Sequence, residues 1–214
     1  MVTKTAILTI AFVLIARILF AQTGVVINEV MYSPLGSEPQ WIELFNSDSL
    51  NTDIAGWEIS TSSQSATLPL NANTADKFSK YIVITSDSNA LRTTRPGNYL
   101  IVQCALPKFH AGGDEIVLKN TSLQTVDSFS YQPSWGGTNG KSLERINFLG
   151  PTNDSANWGS STAKSGATPG AENSARMYDL GLDSLQYGFS FDTLTISVRI
   201  MNMGTLPIDL SRFT

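Results

Sequence analysis

From residue 25 onward, apolar residues recur in short runs, many of them alternating, and the runs are broken by Gly, Pro, Asn, Asp and Ser. That rhythm specifies strands joined by turns. The first run covers residues 25–31 and stops at Ser33-Pro34-Leu35-Gly36. The second covers 41–46 and sets Trp41, Glu43 and Phe45 against Ile42 and Leu44 on the opposite face. A third spans 54–61, anchored by Ile54, Trp57 and Ile59. Residues 80–85 are nearly all apolar, the mark of a central strand buried on both faces. Residues 99–102 form another strand. Residues 114–119 and 124–131 alternate around an Asn120-Thr121-Ser122 turn and predict a hairpin. A short strand is expected in 140–146, and Trp158 is the last apolar anchor before the Gly- and Pro-rich stretch 166–173.

About nine strands with no helix between them predict an antiparallel, immunoglobulin-like β-sandwich or a barrel rather than a βαβ fold. Alternation restarts in 179–185 and 193–200. Two or three strands cannot enclose a core of their own. Residues 177–214 therefore read as a partial second β-domain, either continued elsewhere or packed on the first.

The first 21 residues have a different pattern. Lys4 precedes an apolar run broken only at Arg17, and Ala21 offers a small residue before a cleavage point at Gln22. This is the form of a secretory signal, and its apolar stretch is short for a bilayer span. The expectation is an exported protein (extracellular, periplasmic or at the cell surface) with no membrane span after cleavage. Removing residues 1–21 takes away Lys4 and Arg17 but no acid, so 14 basic residues become 12 against 18 acidic ones. An acidic chain with scattered cations repels a phosphate backbone, so no duplex DNA binding is expected. Cys104 is the one cysteine, which excludes an internal disulfide. It falls in a strand pattern and reads as a buried, inert thiol.

Several motifs, taken in order, resemble one family. Val26-Ile27-Asn28-Glu29-Val30, Trp41-Ile42-Glu43-Leu44-Phe45-Asn46 and Gly56-Trp57 are similar to the opening of the lamin tail domain, in the form found in secreted bacterial proteins. Gly113-Asp114-Glu115-Ile116-Val117-Leu118, Val126-Asp127, and the run from Gly140 to Glu144-Arg145 resemble its later elements. Trp158 and Thr168-Pro169-Gly170-Ala171-Glu172-Asn173 resemble its close. Residues 62–80 match no motif. The tail, with Asp179-Leu180 and Val198-Arg199 followed by Asn202-Met203-Gly204-Thr205, is similar to the start of a CARDB-type immunoglobulin-like repeat. The resemblance implies a scaffold or adhesion module without catalytic machinery. Such domains sit beside nucleases, phosphatases or further repeats.

Candidate chemistry is sparse. His110 is the one histidine, and no Gly-x-Ser-x-Gly accompanies it, so a catalytic triad is not expected. Gly136–Ser142 mimics a phosphate loop, but Trp135 occupies the position that must be Gly. Glu29 and Glu43, on neighbouring strands, could pair for acid–base work. The simpler reading is a satisfied structural network. Residues 46–53 carry oxygen ligands at alternating positions but lack the Gly and bidentate Glu of a calcium loop. Of the four tryptophans, Trp135 is the one outside a motif. If exposed, it would suit a carbohydrate-binding face.

The expectation is therefore a non-enzymatic interaction or scaffold module, with no catalytic, cofactor or metal residues, whose partner is a protein or a cell-surface polymer. The competing readings are an accessory domain of a secreted hydrolase and a carbohydrate-binding module.

Overall fold

The structure, a computed structural model, describes residues 24–48, 52–69, 80–175 and 180–202. The signal segment and residues 203–214 lie outside the described residues, as do 49–51 of the acidic loop 46–53.

Two sheets face each other. The larger has six strands in the order β10-β9-β1-β2-β5-β6. These are β1 (Val25–Met31), β2 (Trp41–Asn46), β5 (Tyr81–Thr85), β6 (Ile101–Gln103), β9 (Leu143–Arg145) and β10 (Trp158–Ser160). The smaller has the order β4-β3-β7-β8, from β3 (Glu58–Ser60), β4 (Ser65–Thr67), β7 (Asp114–Lys119) and β8 (Thr125–Tyr131). The result is an immunoglobulin-like β-sandwich, as the alternating pattern and the family resemblance predict.

The core lies between the sheets. Ile27, Val30, Ile42, Leu44, Ile82 and Ile84 project from the larger sheet. Ile59, Ile116, Leu118, Phe129 and Tyr131 meet them from the smaller one. Phe129 stacks on Trp158 with ring centroids 4.0 Å apart, joining the sheets at one end. Trp57 is buried in the same cluster. A second apolar cluster of Met31, Trp41, Val83, Leu91 and Ala167 occupies the outer face of the larger sheet. That sheet is therefore covered on both sides, which explains the continuous apolar run of β5.

Three expectations are corrected. A helix, α1 (Ser88–Thr94), lies between β5 and β6. Asp87 caps it, its Oδ1 accepting the Ala90 N–H at 2.9 Å. Seven residues with Leu91 alone buried leave no 3.6-residue period to read. The β5–β6 pairing is parallel, so the larger sheet is mixed rather than antiparallel throughout. The helical crossover returns the chain in the same direction, which a tight hairpin cannot do. Cys104 sits just past β6 rather than within it, and is half-buried. Burial pushes its thiol up to about 11, so it stays protonated and unreactive.

The tail forms a two-stranded hairpin of β11 (Leu180–Ser190) and β12 (Thr193–Asn202). Leu185 faces Val198, Tyr187 faces Ile196 and Phe189 faces Leu194. These six side chains share one face, and all are exposed, from 45% for Val198 to 76% for Phe189. Of the two arrangements the alternation left open, the structure shows no burial of residues 184–200 against the sandwich.

Candidate functional site: a row of buried glutamates under the C-terminal strap

β1 pairs with β2 on one side and with β9 on the other. In this register Glu29 lies opposite Glu43 and also opposite Glu144. Three glutamates from three adjacent strands thus form one row across the sheet. All three are fully buried.

A bulge in β1 creates the row. The register skips Asn28, so Ile27 pairs with Leu44 and Glu29 with Glu43. Val25 and Ile27 point into the core, as do Val30 and Tyr32 after the bulge. With regular pairing through Asn28 and no bulge, Glu29 would keep the parity of Val25 and Ile27 and enter the apolar core. The bulge sends it to the outer face instead. Asn173 stabilises the bulge. Its Nδ2 donates to the carbonyl oxygens of Asn28 (2.9 Å) and Arg145 (2.8 Å).

The chain segment 165–175 runs over this row as a strap. It gives one backbone N–H to each glutamate. Thr168 donates to Glu29 at 2.8 Å, Gly170 to Glu43 at 2.5 Å and Ala175 to Glu144 at 2.6 Å. Side chains supply further donors: Ser142 to Glu29, Asn28 Nδ2 to Glu43 (2.8 Å), and Ser174 to Glu144 (2.9 Å to Oε2). Ala167 anchors the strap in the outer apolar cluster. The Arg95 guanidinium, paired with Glu38 at 2.8 Å, also donates to the Ser165 carbonyl at the start of the strap. Gly170 has φ +78, and an added Cβ would meet Tyr99 Cβ at 2.2 Å. Glycine is required there for both reasons.

Burial disfavours charge on this row. Glu29 is pushed up to about 7, first by desolvation and next by the Glu144 carboxylate, against the donors from Ser142 and Thr168. Glu43 is raised well above the usual carboxylate range by burial and then by Glu29.

A second buried network lies on the far side of the bulge. Arg145 Nη1 and Asp127 Oδ2 are 2.8 Å apart, and both side chains are buried. Asp127 Oδ2 accepts the Ile27 N–H, and Asp127 Oδ1 accepts the Thr152 hydroxyl. Arg145 Nη2 donates to Thr152 Oγ1 and the Gly150 carbonyl. Its guanidinium also lies 5.9 Å from the Trp158 ring centre. Because Asp127 belongs to β8 and Arg145 to β9, this pair ties the two sheets together.

The remaining candidates are placed as follows. His110 is exposed, its Nδ1 2.7 Å from Asp114 Oδ2, and the serine of that network, Ser62, donates to Asp114 rather than to the imidazole. Burial would raise the Asp114 carboxyl, but donors from His110, Ser62 and Glu115 together hold it below the ordinary range. Residues Pro133–Trp135 form a 3-10 turn. Trp135 is half-buried, with its ring 6.2 Å from that of Phe129, rather than displayed on a surface. Lys141 and Ser142 lead into β9, not into a helix. In the acidic loop, Asp48 Oδ2 accepts the Gly24 N–H and Asp53 Oδ1 accepts the Ala55 N–H. Among the scattered cations, Arg92 donates to the Gly97 and Tyr99 carbonyls and Arg95 is taken by Glu38, while Lys108 lies beside Gln64. Among the described residues, no group of three His, Cys, Asp or Glu is placed to hold a metal ion.

Reading the residues one by one found Glu29 and Glu43 but missed Glu144, Thr168, Asn173, Asp127 and Arg145. All five stand in the motifs that carried the family resemblance, and their convergence was the available signal.

Fold and networks together define an immunoglobulin-like sandwich closed by a C-terminal strap. The Lamin Tail Domain model matches residues 20–133, more than half of the chain, and the chain belongs to that family. The strap and β9 and β10 lie beyond the matched residues but belong to the same sandwich. A search of curated proteins gives no match to the chain.

Proposed function

We propose that this chain is an exported, non-catalytic module that holds a protein or a cell-surface polymer. One observation carries the reading: the motif residues with chemical potential are consumed inside the fold. Glu29, Glu43, Glu144, Asp127 and Arg145 are buried and hydrogen-bonded to the protein's own groups, and of the five only Arg145, held by Asp127, edges a surface cleft. A general acid or base must reach a substrate proton within hydrogen-bond distance, and the strap blocks that approach to the glutamate row. The half-buried Trp135 weighs against the carbohydrate-binding alternative. The excess of acids, with Arg92 and Arg95 engaged internally, weighs against duplex DNA.

Export and inactivity are tested on one preparation. The secreted protein should have the mass of a chain beginning at Gln22. It should show no phosphatase or nuclease turnover and no sub-micromolar duplex affinity at about 150 mM salt. It should be retained on the surface of the producing cells. Turnover abolished by Glu29→Gln would replace this reading with an enzymatic one.

A further inference from the structure

The glutamate row contains one contact that standard protonation leaves unexplained. Thr168 Oγ1 lies 3.1 Å from Glu29 Oε2 and 3.0 Å from Glu144 Oε1. A hydroxyl carries one proton and can donate to only one of them. If both carboxyls were ionised, the other contact would set an oxygen lone pair against a carboxylate in a buried site. The bridge is complete when one carboxyl keeps its proton and donates to Thr168 Oγ1, which then donates to the other. Donor count alone therefore places a proton in the row.

The same residue supplies the strap's central attachment. Thr168 gives its N–H to Glu29 and its side chain to the Glu29–Glu144 bridge. The flanking attachments, Gly170 to Glu43 and Ala175 to Glu144, use the other two carboxyls of the row. We propose that segment 165–175 is a proton-dependent clasp, seated while the Glu29–Thr168–Glu144 bridge holds its proton and loosened when that proton leaves.

The surrounding charges support the direction. β1, β2 and β9 each contribute one acid to the row. Arg95, which feels the Glu29 charge, is already paired with Glu38. From the β5 side, Tyr81 and Tyr99 feel the Glu43 charge, and Tyr81 also feels Glu172 of the strap. Burial and the neighbouring carboxylate raise Glu29 from 4.5 to about 7. With the strap open, the carboxyl returns to its ordinary range. The closed state then binds the extra proton between about pH 4.5 and 7, so closure is favoured at the acid end and lost as pH rises through that window. Glu43, also raised by burial and by Glu29, acts in the same direction.

The test is amide hydrogen exchange on the full chain from pH 5 to 8, with each rate corrected for intrinsic chemistry. The amides of Thr168, Gly170 and Ala175 report the strap, and those of Ile116 and Phe129 report the sandwich. Strap opening relative to the sandwich should grow by up to about tenfold per pH unit between pH 5 and 7. Glu29→Gln puts an amide N–H where the shared proton sits, and it should flatten this slope while keeping the strap closed. Glu144→Gln supplies the same donor from the other side and serves if the first variant does not fold. A strap-to-sandwich ratio independent of pH in the unmodified protein would overturn the proposal. So would a folded Gln variant that kept the full slope.

Discussion

The sandwich and the hairpin treat their side chains in opposite ways. The sandwich buries three glutamates and an Arg–Asp pair, groups that belong in water, and satisfies them with its own donors. The hairpin leaves Leu185, Tyr187, Phe189, Leu194, Ile196 and Val198 in water, groups that belong in a core. Polarity alone therefore does not decide burial in this chain. What decides it is whether enough chain is present to surround a face. The larger sheet has the smaller sheet on one side and α1 with the strap on the other. The strap brings N–H donors to carboxylates that would otherwise be unsatisfied. Among the described residues the two strands of the hairpin have no such cover, however regular their alternation.

The comparison can be broken by substitution, and the largest effect is expected at the inter-sheet ion pair. Arg145→Met leaves Asp127 buried without its cation. Urea unfolding should show a loss of about 3–5 kcal/mol, because a severed buried pair leaves an uncompensated charge. A loss near zero would mean that water reaches Asp127 and the network is peripheral.

Trp57→Ala should cost a similar amount, about 3–5 kcal/mol, from lost apolar contact and the cavity left behind. Trp57 is 5% exposed and lies in the inter-sheet core. A change below about 0.5 kcal/mol would class it with surface positions.

The glutamate row predicts a smaller, pH-linked effect. The raised Glu29 binds a proton in the folded state at pH values where the unfolded chain has released it. Its contribution is fully present below about pH 4.5 and is lost as pH rises to about 7, by at most a few kcal/mol. Denaturation midpoints should fall across that interval, and Glu29→Gln should lessen the fall. A midpoint that rises from pH 5 to 7 in the unmodified protein, and rises less in the variant, would show that Glu29 is charged in the fold.

The smallest effect is expected in the hairpin. Phe189→Ser removes a large apolar side chain that is 76% exposed. Unfolding of the sandwich should shift by less than about 0.5 kcal/mol. A shift of 2 kcal/mol or more would show that this face is covered in solution and that the contrast between the regions is false.

Strand positions were legible because period-two alternation is local. The runs at 25–31, 41–46 and 114–119 coincide with β1, β2 and β7. Helix α1 was hidden by its length, and β3 shrank because the Gly56 turn takes up residues 54–57. The carboxylate row was less legible still. Glu29 and Glu144 are 115 positions apart in sequence, and no periodicity links them. Only the motif succession hinted that they belong together.

By itself, the sequence determined which segments become strands, the acidic balance of the chain and the family, because each is written in local pattern or short motif. Tertiary structure decided which face each acid occupies. Pairing register and the β1 bulge at Asn28 move Glu29 out of the core and into line with Glu43 and Glu144. It also decided that Thr168 bridges two carboxyls, since a shared proton requires three groups from distant parts of the chain to meet within hydrogen-bond distance. Contacts between distant strands are made by closure of the sandwich, and the strap then seats across the glutamate row through the N–H groups of Thr168, Gly170 and Ala175.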